Sequence, residues 1–142
     1  MYQPTLRQVE KLSSQGNLVP VYREINADLE TPVSAYLKVA RPPYSFLLES
    51  VEGGDRIARY SFIGTEPRDV IRTGPGQPYG AIDPLAPVQR ALDRMQMVRV
   101  PDLPRFSGGM VGYLSYEAVN YFERLPSPEP DPLGVPESVF MF

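Results

Sequence analysis

The sequence predicts an α+β domain, with a mainly antiparallel sheet of about five or six strands and three or four short flanking helices. Three observations predict it. Two strand-like runs, residues 44–51 and 56–63, flank Glu52-Gly53-Gly54-Asp55, which is the pattern of a hairpin closed by a short turn. Two cap-plus-proline pairs, Thr31-Pro32 and Asp83-Pro84, each precede apolar residues at helical spacing. Further apolar runs at residues 69–73, 106–116 and 138–142 read as strands separated by glycine and proline.

Taken in order, a first helix opens at Thr5. Gln8 stands three residues on, Leu6, Val9 and Leu12 share a face, and Gly16 stops it. Residues 18–25 read as a strand at an edge or bulge, because Pro20 removes a ladder donor. A second helix starts at Thr31-Pro32, carries Val33, Tyr36, Leu37 and Ala40, and ends before Pro42-Pro43. In the second hairpin strand Ile57, Arg59, Ser61 and Ile63 share one face. Ala58, Tyr60 and Phe62 share the other, which assigns Tyr60 to the core. Residues 74–80 form a turn-rich loop, and a third helix carries Leu85, Val88, Leu92 and Met95 with Pro87 in its tolerant first turn. The glycines of residues 106–116 mark a strand where backbones approach closely. A short helix over 117–124 and an extended, proline-rich connection over 125–136 follow.

Composition removes several functions. Among the 142 residues there are 14 Lys+Arg and 17 Asp+Glu, a net charge of −3, and no His, Cys or Trp. Without Cys there are no disulfides, thiolate nucleophiles or Cys-based metal sites. Without His there is no Ser/His/Asp triad and no histidine-ligated zinc or haem. The negative balance argues against non-specific binding to phosphate backbones. The 17 prolines, about 12% against an average near 5%, cluster at element boundaries and act as punctuation. No apolar run approaches the ~20 residues of a membrane span, and the start, MYQPTLRQVEK, has no apolar signal region, so a cytoplasmic location is expected. Gly53-Gly54 lacks the Gly-x-x-x-x-Gly-Lys context of a phosphate loop, and a turn explains it. The run at 138–142 is apolar to its last residue, where chain ends are usually polar. The expectation is a piece of a longer polypeptide.

Three stretches together, Glu30–Lys38 (ETPVSAYLK), Phe46–Gly54 (FLLESVEGG) and Arg59–Gly64 (RYSFIG), resemble one family, with Phe106–Tyr113 (FSGGMVGY) fitting as well. The resemblance is to the N-terminal region of the large, chorismate-using subunit of anthranilate synthase, and it covers nearly the whole chain. It implies an enzyme that converts chorismate and glutamine or ammonia to anthranilate and pyruvate in tryptophan biosynthesis. It also implies that catalysis lies elsewhere. The residues that bind chorismate and Mg²⁺ belong to a larger C-terminal domain absent here, so residues 1–142 are expected to form a single regulatory domain with no catalytic residue, metal or cofactor of their own. The implied partners are L-tryptophan as inhibitor, the catalytic domain of the same protein and a glutamine amidotransferase subunit. Two alternatives stay open: the corresponding part of aminodeoxychorismate synthase, in folate synthesis, and a free-standing amino-acid-binding module.

Tryptophan offers an ammonium, a carboxylate and a large apolar indole, so its pocket needs an anion, donors and an apolar slot. The resemblance places that pocket on the LLES and RYS stretches: Glu49 for the ammonium, Ser50 for the amino or carboxylate group, Leu48 along the indole, and Arg59 or Ser61 from the partner strand. Guanidinium pairs bidentately with carboxylate, which makes Arg59 the natural partner of the ligand's acid group. The residues alone leave a second reading open, in which Glu49 and Ser50 are the exposed end of a hairpin and Arg59 pairs with Glu49 across the strands.

Overall fold

A computed structural model describes residues 1–49, 60–101, 103–104, 106–126 and 133–142. The expected turn at 52–55, Ser50, Arg59 and the middle of the proline-rich connection lie outside the described residues. The elements are α1 (Leu6–Leu12), α2 (Pro32–Val39), β1 (Ser45–Glu49), β2 (Ser61–Thr65), β3 (Val70–Thr73), α3 (Leu85–Leu92), β4 (Val111–Leu114), a 3₁₀ helix (Tyr116–Tyr121) and β5 (Ser138–Met141). The α+β expectation holds. Among the described residues, five strands are divided between two antiparallel sheets, of two strands (β1-β2) and three (β3-β5-β4), rather than joined in one. The chain forms two compact units, Glu24–Arg68 and the combination of Met1–Arg23 with Asp69–Phe142.

In the smaller unit, α2 begins as its sequence dictates. Thr31 Oγ1 accepts the Ser34 N–H at 3.1 Å, and the Ser34 hydroxyl accepts the Thr31 N–H at 2.9 Å, so two otherwise orphaned donors are satisfied. Val33 and Leu37 of the expected apolar stripe are exposed, whereas Tyr36 turns inward and its hydroxyl meets Ser45 Oγ of β1 at 2.9 Å. The β1-β2 register runs from Ser45 opposite Thr65 to Glu49 opposite Ser61. This register brings like against like. Leu47 faces Ile63, Leu48 faces Phe62, and the ring of Phe46 lies over Gly64, where a Cβ would fall 2.9 Å from Phe46 Cδ1 and closer still to the ring tip.

In the larger unit α1 carries the predicted cap: Gln8 Oε1 accepts the Thr5 N–H at 2.8 Å and the Thr5 hydroxyl at 2.9 Å. The strand expected over 18–25 is absent. Pro20 breaks the ladder, and isolated bridges replace it, Leu18 to Met97 and Tyr22 to Gln3. In α3, Asp83 Oδ1 accepts the Leu85 N–H at 2.9 Å, and the helix stops at Leu92, short of Met95. Only Val111–Leu114 of the run 106–116 is strand, and the helix expected over 117–124 is a 3₁₀ turn one residue earlier.

Strand β5 lies between β3 and β4. Ile71, Thr73, Ser138, Phe140 and Gly112 share its core face by register. Among the described residues, Ile71, Val98 and Ala118, with Pro84 and Pro87, supply the buried apolar side chains of this unit. Thr73 and Ser138 are fully buried opposite each other and join hydroxyls at 2.8 Å. Around them, Tyr113 donates to the Pro136 carbonyl at 3.0 Å, the Ser115 N–H to the Glu137 carbonyl at 2.7 Å, and the Glu137 N–H to the Thr73 carbonyl at 2.9 Å. The Tyr121 hydroxyl donates to Glu137 Oε2 at 2.6 Å. Desolvation first, and the adjoining carboxylate second, push the Tyr121 phenol up to about 12.

Two outcomes follow from this packing. A Cβ on Gly112 would overlap the Val139 carbonyl oxygen and sit 2.7 Å from Phe140 Cα, and neither backbone atom can rotate away. Gly112→Ala should therefore lower unfolding stability by about 2–3 kcal/mol in urea. Gly108→Ala, whose new methyl would meet only Met97 Sδ at 3.6 Å, should change it by less than about 0.5 kcal/mol. For Tyr121, the folded chain holds the phenolic proton more tightly than the unfolded chain does. Its stabilising contribution is complete below the ordinary value of 10 and is lost as pH rises from there through about 12. A tyrosinate absorbance titration of the wild type and Glu137→Gln should show one phenol moving down in the variant.

Candidate functional site

The family-implied candidates lie on β1 and β2, and alternation decides which of them meet. Residues directly opposite in an antiparallel pair project to the same face, with Cβ atoms roughly 4.5–5.5 Å apart. Glu49 and Ser61 are such a pair, so carboxylate and hydroxyl are neighbours on one face. Leu47 and Ile63, both half-buried, lie next along that face, and Ser45 and Thr65 beyond them. The Tyr36–Ser45 hydrogen bond identifies it as the face that α2 covers. Leu48 projects to the other face, with Phe46 and Phe62, and is half-exposed. The structure thus brings Glu49 and Ser61 together and sets Leu48 on the opposite side. Ser50 and Arg59 lie outside the described residues.

Tyr60, expected in the core, is 54% exposed and instead tilts against Phe62, ring centroids 6.2 Å apart. The apolar partner it needs lies on its own strand rather than in an interior. Glu49 and Ser61 are both exposed, and Glu49 makes no ion pair among the described residues. An exposed carboxylate beside a hydroxyl can accept hydrogen bonds from an ammonium while the hydroxyl serves either polarity. Thr65 Oγ1, at the far end of the same face, is buried with no hydrogen-bond partner among the described residues. Nothing in its sequence setting marks it, since its isolation arises from the pairing of β1 with β2.

The charge nearest the start of α2 is already used. Lys38 pairs with Glu30, and the Ser34 hydroxyl donates to Glu30 Oε2 at 2.6 Å. Those two donors, Lys38 first, hold the Glu30 carboxyl below its ordinary value of 4.5. A depressed carboxyl stabilises the folded state above its unfolded value and loses that contribution as pH falls through the folded one. Lys38→Met should accordingly raise the Glu30 carboxyl in an NMR titration. Among the described residues no three His, Cys, Asp or Glu side chains are placed to hold a metal ion, and no helix is long and apolar enough to cross a membrane.

No family model matches the chain. Individual relatives do. The chain is 44% identical over 145 residues to anthranilate synthase component 1 of Pseudomonas putida, a match covering 92% of this chain and 29% of that protein. It is 38% identical over 152 residues to the same component of Acetivibrio thermocellus, covering 100% of this chain and 31% of that protein. To the probable anthranilate synthase component 1 of Schizosaccharomyces pombe it is 43% identical over 141 residues, covering 96% of this chain and 28% of the relative. It spans about three tenths of the length of the curated relatives it matches. By sequence, the chain is therefore a relative of anthranilate synthase component 1 across nearly its whole length.

Proposed function

We propose that residues 1–142 are the N-terminal, regulatory part of an anthranilate synthase component 1 and contribute the site at which tryptophan inhibits the enzyme. The observation that carries this reading is the pairing of Glu49 with Ser61, which joins the LLES and RYS stretches on one face of the β1-β2 sheet. Glu49 receives the ligand's ammonium and Ser61 adds a hydrogen bond. Leu47 and Ile63, the next pair on that face, offer the apolar wall that Leu48, on the opposite side, does not. Ser50 and Arg59 complete the polar set, Arg59 taking the carboxylate.

In this reading the complete protein converts chorismate, with glutamine or ammonia, to anthranilate and pyruvate in the cytoplasm. Catalysis and Mg²⁺ belong to a chorismate-binding domain outside this chain. A glutamine amidotransferase subunit delivers the ammonia. Tryptophan acts by binding one arrangement of the regulatory part better than another, since a ligand of equal affinity for both shifts nothing.

The test is tryptophan inhibition of the complete protein. Glu49→Gln removes a charge-assisted hydrogen bond and should raise the half-inhibiting tryptophan concentration by about tenfold or more. An unchanged concentration overturns the site assignment. Product analysis runs beside it, because aminodeoxychorismate in place of anthranilate would move the chain to the folate-pathway enzyme.

A further inference from the structure

Burial is divided unevenly between the two units. Every buried residue among the described ones, from Ile71 and Thr73 through Val98 and Ala118 to Ser138, belongs to Met1–Arg23 and Asp69–Phe142. In Glu24–Arg68 no described residue is buried; Phe46, Leu47, Phe62 and Ile63 are half-buried, and Leu29 and Leu37 are 98% and 73% exposed. A two-stranded sheet is marginal in water without a packed face. A helix of eight residues falls below the roughly 12–15 needed for stability alone. Among the described residues this unit is held by the β1-β2 ladder, the Thr31–Ser34 cap, the Lys38–Glu30 pair, the Tyr36–Ser45 hydrogen bond and the Phe46 ring over Gly64.

We propose that residues 24–68 form a separate opening unit, which unfolds and refolds while the β3-β5-β4 sheet stays intact. The two units differ in the one quantity that sets local opening free energy, the apolar surface withdrawn from water. The consequence for Glu49 and Ser61 rests on the function proposed above. A ligand held there binds only the folded fraction of this unit, so its apparent affinity falls by that fraction, and anything that orders the unit raises it. The site would be regulated through the folding of its own support.

Amide hydrogen exchange of the 142-residue chain tests this directly. Amides of α2, β1 and β2 should exchange at least about a hundredfold faster than those of β3 and β5. Phe46→Ala, which strips the ring from Gly64, should speed exchange in β1 and β2 further and leave β5 exchange and its urea midpoint unchanged. Equal protection in both units, absence of protection in both, or loss of β5 protection in Phe46→Ala overturns the proposal. L-tryptophan is then added. Slowed exchange confined to β1 and β2 supports ordering by the ligand. Unequal protection with no response to tryptophan upholds the opening unit and overturns the tryptophan reading instead.

Discussion

The buried hydrogen bond between Thr73 and Ser138 sits where β3 hands over to β5, and the order of the larger unit converges on it. Each hydroxyl has left water completely, so each depends on the other for a partner. Next to it in sequence, Glu137 is gripped by backbone on both sides, from Thr73 and Ser115, and by the Tyr121 hydroxyl through its side chain. The 3₁₀ helix, β4 and β3 are thereby tied to one short segment. Gly112 completes the arrangement by letting β4 lie against β5 at a distance no side chain would allow. The segment is polar at its start and apolar beyond Ser138, so hydrogen bonds set its register and Phe140 fills the space on the core face.

Much of this was legible in the sequence where a local rule and the tertiary outcome agree. The caps at Thr5, Thr31 and Asp83 act over two or three residues, and each forms a hydrogen bond at the start of its helix. The close backbone approach predicted from the glycines near 110 is realised at Gly112. Failures came where a local signal had to compete. Pro20 was compatible with an edge strand, yet with single bridges available on either side of it the chain had no ladder to join. The register of the hairpin was not legible from Gly53-Gly54, because the cross-strand pairing of Leu47, Leu48 and Phe46 with Ile63, Phe62 and Gly64 is a non-local choice. Tyr60 was assigned to a core, yet it is half-exposed and no described residue of its unit is buried. The division of the strands into two sheets had no local signal at all, because it depends on which distant segments pair.

The same competition bears on the candidate site. Glu49 and Ser61 meet because of the register, and Leu48 is turned away by the same register. Similarity to anthranilate synthase component 1 runs through both units, the firmly packed one and the one with no buried residue among those described. Under the proposed function that contrast is useful. A ligand surface on an element with little buried apolar area would respond to small increments of binding energy.

The Phe46 ring over Gly64 has a further consequence. It behaves as a two-part key, one position supplying bulk and the other supplying its absence. Slipping β2 by one residue would exchange the two faces of the strand and take the glycine out from under the ring. A side chain at 64 would meet only the outer part of the Phe46 ring, so the ring must turn aside or give way to a smaller residue at 46.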